Sequence, residues 1–111
     1  MKIGIVGYRH FNDMSLFSEK ISALGTITEI VSGGCVGTDT LAKIYADKRG
    51  IKMTVFMPKG YQRHHYLDRN TEIVESGIAL LVAFLSKDSK GTYDTINKAN
   101  SRGIKVLIID I

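Results

Sequence analysis

An uninterrupted apolar segment, Ile78–Leu85, constrains the fold of this chain more than any other feature. It shows no alternation of polar and apolar residues, so a strand formed by it has no face suited to water. Strands of this kind lie in the middle of parallel sheets that are covered by helices on both faces. The segment therefore predicts a central strand, and it is much too short to span a bilayer.

Other apolar runs alternate with helical patterns on both sides of this segment. The predicted strands are Ile3–Val6, Thr26–Val31, Met53–Met57, Ile78–Leu85 and Val106–Ile109. The first predicted helix is capped by Asn12 or Asp13 and stopped by Gly25, and the second runs from Thr38 and stops at Gly50. The third covers Leu67–Ser76, with Gly77 as its left-handed stop, and the fourth covers Thr92–Arg102. The second helix is expected to bury Leu41, Ile44 and Tyr45.

This alternation predicts a three-layer, Rossmann-like α/β fold with a five-stranded parallel sheet and helices on both faces. The expected strand order is 3-2-1-4-5, and the flavodoxin-like order 2-1-3-4-5 is the alternative. Because no linker or repeat interrupts the 111 residues, we expect a single domain over residues 1–111.

Cysteine content and charge narrow the range of functions. The lone Cys35 excludes an internal disulfide, and no apolar leader follows Met1, so the sequence predicts a cytoplasmic protein without a membrane partner. A net charge of +4 permits anionic partners. Basic residues are dispersed along the chain, which disfavours nucleic acid, and the three histidines lack the spacing of metal ligands.

Four loops follow predicted strands and are therefore expected to share one edge of the sheet, where open α/β sheets bind ligands. These loops are Gly7–Phe11, Ser32–Asp39, Arg63–Asn70 and Ser89–Thr95. The second and the fourth place glycine and then threonine where a helix begins. Glycine lets the backbone approach a ligand, and the free N–H groups of a helix start favour phosphate. Alternatively, the glycines only turn the chain and the threonine caps the helix.

Two common nucleotide-binding motifs are absent from these loops. Neither glycine-threonine loop is a Walker A motif, because no lysine stands between the glycine and the threonine, and Gly4–Gly7 lacks the G-x-G-x-x-G dinucleotide fingerprint. The sequence therefore disfavours an ordinary ATPase or dehydrogenase.

Taken together and in order, four segments resemble the signatures of the SLOG superfamily. The segments are Gly7–Phe11, Ser32–Ala42, Asp68–Asn70 and Gly91–Thr95. The superfamily includes the lonely-guy phosphoribohydrolases and the Smf-type DNA-processing proteins, and this chain is most similar to the small stand-alone YspA-like members. The resemblance covers Lys2 to about Val106.

The resemblance implies a Rossmann-like fold and a nucleotide or nucleotide-derived ligand, with no cofactor required. Combined with the loop analysis, it predicts that the ligand is bound by Gly7, Tyr8, Arg9, Ser32, Gly33, Gly34, Gly37, Thr38, Asp39, Arg69, Asn70, Gly91, Thr92 and Asp94. Tyr8 and Tyr93 flank the central loops, where they either stack on a base or pack at the rim. Relatives are often oligomeric, so a homo-oligomer is also expected.

The sequence departs from the lonely-guy enzymes at their catalytic glutamate, whose position is held here by Thr95. Asp39 and Asp94 are the remaining candidates for a catalytic carboxylate. Three functions follow in order of preference. The first is a protein that senses, carries or sequesters a nucleotide-derived metabolite, the second an N-glycosidic hydrolase of nucleoside monophosphates, and the third a single-strand nucleic-acid binder.

Overall fold

The computed structural model describes all 111 residues, along which five parallel strands alternate with four helices. The strands are β1 (Lys2–Gly7), β2 (Glu29–Ser32), β3 (Lys52–Val55), β4 (Leu80–Leu85) and β5 (Lys105–Asp110). The helices are α1 (Met14–Ser22), α2 (Thr38–Arg49), α3 (Arg63–Val74) and α4 (Lys90–Ser101). The sheet order is β3-β2-β1-β4-β5, which confirms the predicted order and excludes the flavodoxin-like alternative. None of the helices has both the length and the apolar character needed to cross a membrane.

Strand β4 lies between β1 and β5 and is covered on both faces, as its sequence predicts. On one face, Phe84 stacks on Phe17 of α1 with ring centroids 5.1 Å apart, and α2 contributes Tyr45 to the same cluster. On the other face, Leu81 packs with Ile73 of α3 and Ile96 of α4. Apolar side chains thus fix one helix pair on each face of the sheet.

Several predicted boundaries were wrong where the chain leaves the core. Strand β2 begins at Glu29 because Gly25, with φ of +92°, first turns the chain. Helix α1 is capped by the Asp13 carboxylate, which accepts the Leu16 N–H at 3.0 Å, but it ends at Ser22. Strand β3 ends at Val55, two residues before its predicted end. Ile44 was expected in the core, yet 39% of it is exposed, because α2 packs through residues on either side of it.

The starts of α3 and α4 also differ from the sequence prediction. Helix α3 begins at Arg63, so the stretch Arg63–Asn70, predicted as a loop, forms its first two turns. Most of the first turn is exposed and carries no apolar periodicity that a sequence pattern can detect. Helix α4 begins at Lys90 and therefore includes Gly91, which was expected to precede it.

The start of α2 is held against the loop that follows β1. The Tyr8 carbonyl accepts hydrogen bonds from the Thr38 N–H at 3.3 Å and from the Thr38 hydroxyl at 2.9 Å. Gly37 has φ of +77°, and a Cβ placed on it would overlap the Arg9 carbonyl. Only glycine therefore allows these two segments to lie this close together.

We predict that alanine has opposite effects on stability at Gly37 and at Gly91, which belong to different glycine-threonine loops. Gly37→Ala should lower the free energy of unfolding by about 1–3 kcal/mol or more, because it forces a strained φ and a backbone overlap. Gly91→Ala should raise it by about 0.5–1 kcal/mol, because Gly91 is helical and a Cβ there meets nothing within 4 Å. Urea unfolding measures both, and a Gly37→Ala protein as stable as the wild type would contradict the close approach described.

Candidate functional site

A cavity of about 810 Å³ lies at the carboxyl ends of the strands. The loops that follow β1, β2, β3 and β4 all contribute to it. Most of the predicted binding residues line this cavity, namely Gly7, Tyr8, Arg9, Gly33, Gly34, Asp39, Arg69, Asn70, Gly91, Thr92 and Asp94. The structure thus brings together residues as far apart in the chain as Gly7 and Asp94.

Three predicted residues, Ser32, Gly37 and Thr38, do not line the cavity. Ser32 and Thr38 are completely buried, and the Thr38 hydroxyl is already bound to the Tyr8 carbonyl. These residues shape the loops that form the cavity and do not face its interior.

The guanidinium of Arg69 is the most unusual group in the cavity lining. Arg69 is only 8% exposed, yet no carboxylate lies within 4.0 Å of it. Its Nε donates to Asn70 Oδ1 at 3.0 Å, and its Nη1 donates to the Gly33 carbonyl. Its two terminal nitrogens also lie 3.7 and 3.8 Å from Cys35 Sγ. Because buried arginines are rarely found without an anion, this one is suited to an anionic ligand.

Gly33 makes this position of the arginine possible. A Cβ placed on Gly33 would overlap the Arg69 guanidinium, so any larger residue would displace it. The first glycine of the Gly33-Gly34 pair therefore has a defined role, which is to let a side chain from α3 lie against the β2–α2 loop.

A polar network between α3 and α4 holds Arg69 in place. Asn70 accepts from Arg69, and its Nδ2 donates to Asp94 Oδ2 at 3.1 Å. The same carboxylate oxygen accepts from Lys98 Nζ at 2.9 Å, and Lys98 also donates to the Leu67 carbonyl at 2.7 Å. Asp94 was predicted as a binding or catalytic residue, and in the structure its carboxylate orients Asn70 and pairs with Lys98.

The N-termini of α2 and α4 both lie at the cavity, and they differ in the acceptors available to their backbone N–H groups. At α2, the Asp39 carboxylate folds back and accepts the Cys35 N–H at 2.9 Å, so an internal anion already occupies this loop. At α4, the N–H groups of Lys90 and Gly91 donate to no protein group, and Ser89 provides no side-chain cap. No carboxylate of the protein accepts an N–H group at the start of α4, so a ligand anion meets no internal competitor there, as it would at α2.

Burial raises the pKa of Asp39 from its ordinary value of 3.8 to about 6. Hydrogen bonds from the Cys35 and Gly33 backbone and the positive charge of Arg69 lower this pKa, but they do not overcome the effect of burial. The carboxyl group is 9% exposed and lines the cavity, so it can hold a proton near neutral pH at the site.

The rim of the cavity carries further cations that were only partly predicted. Arg9, Lys59, Arg63 and Lys90 are exposed and line the cavity, and none forms an ion pair within 4.0 Å. Their charges attract anions toward the buried Arg69. No group of three or more His, Cys, Asp or Glu side chains lies close enough together to hold a metal ion.

Sequence reasoning missed an apolar part of the lining formed by Val36, Met57, Tyr61 and Tyr66. The prediction placed Met57 in a strand and began the following loop only at Arg63. The turn-forming residues after the strand, Pro58 to Gly60, were the available signal. Of the two tyrosines for which the sequence left open stacking on a base or packing at the rim, Tyr8 lines the cavity and Tyr93 does not.

The sequence matches no protein-family model and has no significant similarity to any curated protein. The resemblance to the SLOG superfamily therefore stays a prediction from four short motifs.

We predict that the buried carboxyl group of Asp39 destabilises the protein at neutral pH. Because its pKa is raised on folding, the free energy of unfolding should fall as pH rises from about 4 to about 6 and stay lower above that. Asp39→Asn keeps an oxygen for the Cys35 N–H but does not ionise. The variant should be more stable than the wild type at pH 7, by about 1–3 kcal/mol, and the difference should shrink toward pH 4.

Urea unfolding at both pH values measures the effect, with Asp47→Asn as an exposed control. An Asp39→Asn protein whose stability differs from the wild type equally at pH 4 and pH 7 would contradict the assignment.

Proposed function

We propose that this protein binds a nucleotide or nucleotide-derived metabolite through its phosphate, and that it senses, carries or sequesters this ligand. One observation carries the proposal, namely the buried guanidinium of Arg69, which lines the cavity without a carboxylate partner. A guanidinium binds phosphate through charge-assisted and often bidentate hydrogen bonds. A phosphate at Arg69 would supply an anion in direct contact with the guanidinium, which no carboxylate of the protein does.

The start of α4 supports the same assignment. Its free N–H groups at Lys90 and Gly91 and its helix dipole favour a negative charge at this end of the helix. The Asn70 side chain joins this helix start to Arg69, because its Nδ2 lies 3.4 Å from the Gly91 carbonyl. Arg69 and α4 therefore belong to one connected group of phosphate-binding elements.

The size of the cavity supports a ligand larger than phosphate alone. Sites for small molecules and cofactors generally measure about 300–1,000 Å³. A volume of about 810 Å³ lies well inside this range and leaves space for a sugar and a base beside the phosphate. The resemblance to the SLOG superfamily implies the same class of ligand and rests on separate observations.

A second candidate function, N-glycosidic hydrolysis, is favoured by Asp39 alone. Its buried carboxyl group lines the cavity and, with a pKa of about 6, can donate a proton near neutral pH. Asp94 is a weaker candidate because its carboxylate is engaged by Asn70 and Lys98. Thr95, at the position of the lonely-guy glutamate, is buried and offers no carboxylate.

For the binding function, we predict that Arg69→Gln weakens the binding of AMP by at least about 30-fold, because it removes a buried cation from the phosphate. Arg69→Lys should lose a smaller part of the affinity, since it keeps the charge without the planar fork. Isothermal titration calorimetry measures the dissociation constants. Arg102→Gln is the matched control, because Arg102 is paired with Glu75 outside the cavity and should leave binding unchanged.

For the hydrolase candidate, we predict that release of base from nucleoside monophosphates is slow compared with binding. Lack of a well-placed acid or base typically costs about 10²–10⁴-fold in rate. Any release that depends on Asp39 should decline as pH rises through about 6, since the protonated form is the active one, and Asp39→Asn should abolish it. Chromatography of the products measures the rate, and rapid multiple turnover would favour the hydrolase over the binding protein.

A further inference from the structure

The lining of the cavity is chemically uneven. One part is polar and cationic, formed by Arg69, Asn70 and the start of α4. Another part, here called the apolar ledge, consists of Val36, Met57 and Tyr61. These three side chains are 58%, 61% and 95% exposed, respectively. The phosphate site uses none of them.

The apolar ledge is built onto the same loops that form the phosphate site. Met57 lies against the β2–α2 loop, because a Cβ placed on Gly34 would overlap its sulfur atom. Val36 belongs to that loop, two residues beyond Gly34, and Tyr61 precedes α3 by two residues. The three residues of the ledge therefore belong to the segments next to Gly33 and Arg69 in the chain, and all three line the same cavity.

Exposed apolar side chains that share a cavity with a polar site call for an apolar partner. A tyrosine ring and a methionine thioether both pack well against a flat aromatic ring. Base–aromatic stacking is tolerant of base identity, because every base presents a π face. The chemistry of the ledge thus fits a nucleobase and offers little to inorganic phosphate.

We propose that the apolar ledge of Val36, Met57 and Tyr61 binds the base of the nucleotide whose phosphate lies at Arg69, with Tyr61 stacking on it. The ligand is then an intact nucleotide rather than a sugar phosphate. This proposal rests on the proposed function, since the phosphate site sets which end of the ligand reaches the ledge. It replaces Tyr93, which sequence analysis offered as a stacking residue and which lies outside the cavity.

Three probes separate the base from the rest of the ligand: AMP, ribose 5-phosphate and inorganic phosphate. The wild-type protein should bind AMP more tightly than ribose 5-phosphate. Tyr61→Ala should weaken the binding of AMP by about 5- to 150-fold and leave that of ribose 5-phosphate unchanged. Met57→Ala should act in the same direction, and Tyr61→Phe should retain the affinity because the ring is kept.

Tyr61 is almost fully exposed, so its replacement removes little packing and the variant should fold normally. Tyr93→Ala is the matched control, because Tyr93 is also exposed but does not line the cavity. Equal affinities of the wild type for AMP and ribose 5-phosphate would overturn the proposal while leaving the phosphate site intact. If none of the three probes binds, the proposed function is contradicted as well.

A second copy of the chain is the alternative occupant of the apolar ledge, and sedimentation distinguishes it from a base. If Tyr61→Ala converts a dimer to a monomer and leaves the preference for AMP unchanged, the ledge is a subunit interface and the proposal is wrong. If the variant loses the preference for AMP at an unchanged sedimentation coefficient, the base is the occupant.

Discussion

The arrangement of this cavity depends on one buried cation that forms no ion pair within 4.0 Å. Arg69 extends from α3 to the β2–α2 loop, where it meets the Gly33 carbonyl, and toward α4 through Asn70 and Asp94. Burying a charge without an opposite charge is costly, so the surrounding dipoles must hold it in a defined orientation. The same hydrogen bonds therefore fix two helices and a loop relative to each other and leave the guanidinium facing the ligand space.

The carboxyl group of Asp39 explains why the two helix starts are not equivalent. It accepts the N–H of Cys35, so the α2 loop already holds a carboxyl group of the protein itself. A phosphate bound at that loop would have to displace this carboxyl group or lie beside it. At α4 the free N–H groups have no such internal partner. The two glycine-threonine loops look alike in sequence, but only in the α2 loop does a carboxyl group of the protein accept a backbone N–H.

The sequence predicts the fold well and the site only in part, and the difference has a physical origin. The unbroken apolar run of β4 reports burial on both faces, so an interior strand and helix layers on both faces follow from it, whereas the strand order had a second alternative. Periodicity reports contact with the core, however, and the first turn of α3 makes little such contact, so its helical state was missed. Partners of individual side chains, such as Asp94 with Lys98, depend on tertiary packing and have no local signal. Tyr61 was missed for the same reason as the first turn of α3, because it is almost fully exposed and periodicity reports only contact with the core.

The unpaired guanidinium and the apolar ledge share one thermodynamic consequence. In the protein without a ligand, the buried guanidinium is poorly hydrated and the apolar side chains of the ledge are exposed to water. Both arrangements are energetically unfavourable. Both lie in the same cavity, and a nucleotide is the kind of molecule that satisfies both at once, with an anion at one end and an aromatic ring at the other. Since a ligand that binds only the folded state stabilises it by RT ln(1 + [L]/Kd), a nucleotide that contacts both features would raise the free energy of unfolding. The polar network and the ledge are then two halves of one recognition surface, and neither half alone accounts for the size of the cavity.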